Sequence, residues 1–137
     1  MMHDSYRNWI LIVARFLLAT LFVISGYGKL MAFDGTVAFV AEAGVPMASL
    51  AVALTILIEL VGGILLMLGW KTRLAALSLL SFTVVATAVF HSNIMEQAQQ
   101  VAFLKNVSIV GGLLYAHLFG PGRLSIDERT SGSGMET

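Results

Sequence analysis

The chain has 137 residues, 58% of them hydrophobic and 12% charged, and a formal net charge of zero. A soluble domain carries about 25% charged residues; half that share, with a mean hydropathy of +0.87, places the chain among integral membrane proteins. Zero net charge leaves no electrostatic footprint for nucleic acid, and the lack of cysteine excludes disulfides, thiolate nucleophiles, CxxC redox chemistry and cysteine-ligated iron–sulfur clusters.

A membrane-spanning helix needs about 20 mostly apolar residues. After a polar cytoplasmic tail, residues 1–8, the first candidate runs from Trp9 to Met31, WILIVARFLLATLFVISGYGKLM. It is too long for a cleaved signal peptide and carries Arg15 inside, with no small-x-small cleavage site before Lys29. The link from Ala32 to Pro46 has room for a short interfacial helix capped by Asp34, with Phe33, Val37 and Val40 towards lipid. Pro46 suits the first turn of a second span, Met47 to Leu68. The connection GWKTR is so short that this span and the third, Leu74 to Phe90, form an antiparallel hairpin. Polar HSNIMEQAQQ leads to a fourth span, Val101 to Phe119. The expected fold is all-α: an antiparallel bundle of four transmembrane helices over residues 9–127, then a disordered tail, 128–137, ending SGSGMET. Arg7, Lys71, Arg73, Arg123 and Arg129 all fall at one end of such a bundle, and Lys29 and Lys105 at the other. The positive-inside rule then puts both termini in the cytoplasm.

Glu59 stands in the middle of SLAVALTILIELVGGILLMLGW. A carboxylate there costs about 2.5–3.5 kcal/mol on insertion scales, so it needs a partner or a task. Counted from the inner ends of the spans, Arg15 and Glu59 differ in depth by about 5 Å. An Arg15–Glu59 pair between neighbouring helices is therefore expected, acting as a proton-accepting or substrate-orienting pair or as a structural ion pair. Gly62 and Gly63 lie one turn below Glu59 and let another helix come close. Arg15, Phe22, Gly26 and Lys29 fall on one stripe of the first span and should face the bundle interior. Thr83, Thr87 and His91 follow at i, i+4 and i+8 on the third, and Lys105, Ser108, Gly112 and Tyr115 form a drifting stripe on the fourth.

The outer ends thus gather Lys29, His91, Lys105 and Asn106, with Tyr27 and Glu96 near that level. The cluster suggests a shallow outward-facing pocket floored by the Arg15–Glu59 pair. Lys29 and Lys105 read either as a cationic patch for a carbonyl, phenolate or small anion, or as snorkelling lysines. His91 reads as a general acid or base, or as an ordinary interfacial residue. No metal site is expected: His91 and His117 lie at opposite ends of the bundle, and no Glu-x-x-His spacing occurs.

Four motifs, RFLLATLFVISGYGKL, IELVGGILLMLGWKTRLAAL, FLKNVSIVGGLL and GPGRLSID, make the chain resemble the DoxX family over roughly residues 10 to 127. The resemblance implies a four-helix inner-membrane protein of bacteria. Members are commonly described as oxidoreductase or quinol-oxidase-related subunits, after a relative in a thiosulfate:quinone oxidoreductase; others are linked to catechol, quinone or oxidative-stress responses. The positions matching its polar motifs are Arg15, Lys29, Glu59, Lys105 and Asn106. The leading expectation is a subunit of a membrane redox system that binds a quinone, quinol or related aromatic. Lys29, Lys105 and Asn106 would hold the ligand oxygens, and Glu59 or His91 would move protons. There is no intrinsic cofactor, so electrons come from a redox partner protein or the quinone. Two other classes stay open: a small-solute transporter, which would need a homo-oligomer to form a pore, and a scaffold docking partner helices at Gly62, Gly63, Gly111 and Gly112.

Overall fold

A computed structural model describes residues 2–132. Its helices, in chain order, are α1 Met2–Met31, α2 Phe33–Glu42, α3 Ala48–Leu68, α4 Thr72–Phe90, α5 Gln97–Phe119 and α6 Ile126–Gly132. Four of them, α1, α3, α4 and α5, are long and apolar enough to cross a membrane. They pack into one all-α bundle in which α1 lies chiefly against α3, and α4 against α5 and α3. α1 and α5 touch only sparingly.

Several boundaries differ from the sequence expectation. α1 starts at Met2, about two turns before Trp9, with Asp4 in its first turn where a carboxylate favours the helix dipole. Residues 128–132 of the expected disordered tail belong to α6, and 133–137 lie outside the described residues. α2 forms where a short helix was expected, but Ala32 is its N-cap, without a side-chain cap, and Asp34 sits within the first turn.

Glycine sets the helix spacing. A Cβ on Gly63 would lie 2.9 Å from Val23 Cγ2 and 3.3 Å from the Val23 backbone nitrogen. A Cβ on Gly62 would lie 3.0 Å from Leu79 Cγ. Adjacent glycines thus admit two different neighbours, α1 on one side and α4 on the other, as small residues do where helices pack in lipid. The shared core is Ala19, Phe22, Leu66, Ala76, Leu79 and Leu113.

The end bearing the termini is tied together by backbone capping. α3 stops at Gly69 (φ 69°), where Trp70 N–H donates to Leu65 O at 2.9 Å and Gly69 N–H to Leu66 O at 3.2 Å. That is a Schellman stop. α4 then begins from Lys71, whose φ is 47° and whose side chain makes no cap. Asp127 of α6 supplies the cap instead: Oδ1 accepts from Lys71 N–H at 2.7 Å and Oδ2 from Thr72 N–H at 2.9 Å. Partial burial would raise the Asp127 carboxyl, but these backbone donors and the charge of Arg15 outweigh it and hold the group below its ordinary value. Arg73 Nη1 donates to the carbonyls of His117 and Leu118, the last turn of α5, at 3.1 and 2.7 Å.

Candidate functional site

Glu59 is buried, its side chain 5% exposed, and its partner is Lys29. Lys29 Nζ donates to Oε2 at 2.9 Å and to Oε1 at 3.1 Å. Ser25, one turn before Lys29 on α1, completes the group: its Oγ accepts from Lys29 at 2.5 Å and donates to Glu59 Oε1 at 3.1 Å. The i, i+4 spacing puts Ser25 and Lys29 on one face. Gly26 between them lets α3 approach, since a Cβ there would lie 3.0 Å from Glu59 Cβ. All three ammonium donors of Lys29 are directed within this group.

The expected Arg15–Glu59 pair does not form. Arg15 is buried, but its Nη2 donates to Leu124 O at 3.0 Å, and its guanidinium lies against Gly69 at the end of α3. The cause is register. Along the antiparallel α1–α3 contact, Gly26 meets Glu59, Gly63 meets Val23 and the Ala19 carbonyl, and Gly69 meets Arg15. The α1 position facing Glu59 is therefore three turns, about 16 Å, from Arg15. Counting depth from Trp9 misplaced Arg15, because α1 extends past the end of α3 by the turns that precede it.

Glu59, Lys29 and Ser25 open onto a cavity of about 290 Å³ at the end of the bundle opposite the termini. Its walls are aromatic and aliphatic, among them Phe22, Phe39, Phe82 and Phe90. α2 closes one side, with the Phe39 ring stacked on Phe90 at 5.5 Å. Thr36 and Thr55 add hydroxyls. His91, Lys105 and Asn106 line the cavity as well, so Lys29, Glu59, His91, Lys105 and Asn106 share one site; Arg15 does not belong to it.

The polar wall from α4 and α5 is ordered by hydrogen bonds. Thr87 Oγ1 donates to Thr83 O at 2.6 Å and accepts from Asn106 Nδ2 at 2.9 Å. Returning threonine hydroxyls to the preceding turn satisfies them in a buried setting. His91 Nδ1 lies 2.9 Å from Gln99 Oε1, which fixes the ring beside the cavity. Lys105 is exposed and has no ion pair among the described residues.

The face of α5 that meets the core and α4 carries Asn106, Ile109, Leu113 and Ala116; of the drifting stripe, Lys105 borders the cavity and Gly112 meets Leu18 of α1. Ser108 and Tyr115 are exposed, and Ser108 bonds back to Leu104 O. α5 scatters its polar residues around the helix, so periodicity could not choose its buried face. Tyr27 and Glu96 are exposed and do not line the cavity. Ser25 and Gln99 were missed by the sequence reading. Ser25 was findable from its i, i+4 spacing to Lys29; Gln99 follows only from the turn over residues 91–96.

The comparisons agree with this architecture. The DoxX family profile matches residues 10–92. Inner membrane protein YqjF of Escherichia coli (strain K12) is 39% identical over 116 residues, 85% of this chain and 88% of that protein. Inner membrane protein YphA of the same organism is 36% identical over 129 residues, 90% of this chain and 91% of that protein. No solved structure matches. A profile covering Arg15 to His91, two relatives similar along nearly their whole length, and a bundle of four long apolar helices lead to one conclusion: the chain belongs to the DoxX family, as a multi-pass protein of the inner membrane.

Proposed function

We propose that the cavity binds the head group of a quinone, quinol or related small aromatic, and that the protein serves as a subunit of a membrane redox system. The observation that carries this reading is the composition of the cavity: a buried carboxylate held by Lys29 and Ser25 at its floor, aromatic walls, and His91, Lys105 and Asn106 around the polar side. Small-molecule sites run from about 300 to 1,000 Å³ and are mostly apolar with a few placed polar groups. At about 290 Å³ the cavity suits one ring with its substituents, the isoprenoid tail of a quinone continuing into lipid.

In this reading Lys105 and Asn106 donate to ligand oxygens. Glu59 accepts a proton from a phenolic hydroxyl, Lys29 stabilising the carboxylate until it does so. His91 Nε2 takes the second proton of a quinol, and the two electrons leave to a membrane redox partner. Lys29 positions Glu59 rather than the ligand, because its donors are committed. The five cations at the terminus-bearing end support a cytoplasmic placement of that end, so the cavity opens to the outer side.

Beneath the cavity, Leu66, Leu79 and Leu113 are fully buried and Phe22 nearly so. This apolar plug leaves a single copy without a polar route to the other face, which favours the binding reading over transport.

The test is binding of a short-chain ubiquinol and ubiquinone to protein in neutral nanodiscs. Ala86→Phe, which fills the cavity, should abolish binding of both. Glu59→Gln should weaken the quinol about tenfold or more, the loss of one charge-assisted hydrogen bond. Unchanged binding in both variants, with fold verified by circular dichroism, would retire the proposal.

A further inference from the structure

The charges around the cavity do not cancel. Four ionisable side chains line it: Lys29 on α1, Glu59 on α3, His91 at the C-cap of α4 and Lys105 on α5. α2 contributes only Thr36, Phe39 and Val40. Lys29 and Glu59 form one closed pair, with both carboxylate oxygens and all three ammonium donors used. The floor is therefore neutral. His91 shares one nitrogen with Gln99. Lys105 remains as a full positive charge with no acidic partner among the described residues.

The geometry points to a ligand that binds as a monoanion: an aromatic carrying a phenolate or carboxylate, its ring between the phenylalanine walls and its charged oxygen at Lys105, beside Asn106. This deepens the proposed function and rests on it, since it concerns the charge state of the ligand in the same cavity. The physical reason is balance. An anion entering a mostly apolar site loses hydration, and an unpaired cation at the rim of that site offsets part of the loss through a charge-assisted hydrogen bond. A neutral aromatic gains the same ring contacts but makes no ion pair with Lys105. Glu59 does not repel the anion, because Lys29 lies within 3.1 Å of both its oxygens.

The experiment compares 4-nitrophenol, whose hydroxyl titrates near neutrality, with its neutral methyl ether, by titration into protein in phosphatidylcholine nanodiscs from pH 5.5 to 8.5. In the wild type the phenolate should bind about tenfold tighter than the ether at the alkaline end, the preference vanishing at the acid end as the ligand protonates. Lys105→Gln, with fold verified by circular dichroism, should lose that preference; Lys105→Arg should keep it. His91→Gln should also keep it, which separates titration of the ligand from titration of the imidazole. Equal affinity for phenolate and ether in the wild type, or an undiminished preference in Lys105→Gln, overturns this inference and leaves aromatic binding standing. If neither the ether nor a short-chain quinone binds, or if Ala86→Phe alters neither, the cavity reading falls with it.

Discussion

A double-mutant cycle discriminates the two partners that Glu59 could have had. Removing one member of a buried ion pair costs about 3–5 kcal/mol, because the other charge is stranded. The Lys29 side chain is 29% exposed against 5% for Glu59, so water screens the pair from one side. Discounting for that screening leaves a coupling of about 2 kcal/mol between Lys29→Met and Glu59→Gln. Arg15 is about three turns away along α1, and sites so separated usually couple by less than about 0.5 kcal/mol. The assay is reversible unfolding in mixed micelles titrated with dodecyl sulfate, read by circular dichroism. It uses the three single variants, Lys29→Met, Glu59→Gln and Arg15→Met, and the two doubles that contain Glu59→Gln. An Arg15–Glu59 coupling equal to or larger than that of Lys29–Glu59 would refute the register derived from Gly26, Gly63 and Gly69.

Three further outcomes follow from the packing and capping. Gly63→Ala should destabilise by about 1–3 kcal/mol, since α1 backbone lies within 3.4 Å of the new Cβ, whereas Gly28→Ala meets nothing within 4 Å and should be neutral or slightly stabilising in the same unfolding assay. Asp127→Ala should cost about 1 kcal/mol, the usual value of an N-cap. Because the Asp127 carboxyl is held below its ordinary value, its contribution is present at neutral pH and above, and is lost as pH falls through that lowered value; the gap between wild type and Asp127→Ala should close there. The chain has no cysteine, so single introduced cysteines report topology directly. With the termini cytoplasmic, a membrane-impermeant maleimide should label Met95→Cys on spheroplasts and Arg123→Cys only after lysis; the reverse pattern would invert the proposed orientation.

What the sequence determined by itself was whatever depends on composition and local period. Four runs of about twenty apolar residues force four helices, because every backbone polar group must be satisfied within its own segment in lipid. The α1 stripe was legible for the same reason: Arg15, Phe22 and Gly26 are buried and Lys29 is half-buried, as their spacing required. The gathering of Lys29, His91, Lys105 and Asn106 followed from helix ends sharing a depth. Tertiary structure alone decided who pairs with whom. The Lys29–Glu59 contact depends on the slide of α1 along α3, set by where Gly26, Gly63 and Gly69 admit close approach, and a shift of three turns would have given Arg15 that partner instead. The same holds for Asp127, which caps α4 across 55 residues of chain although nothing local marks it as a cap. Helical period is a property of one segment, whereas register is a property of two surfaces, and only their packing fixes it.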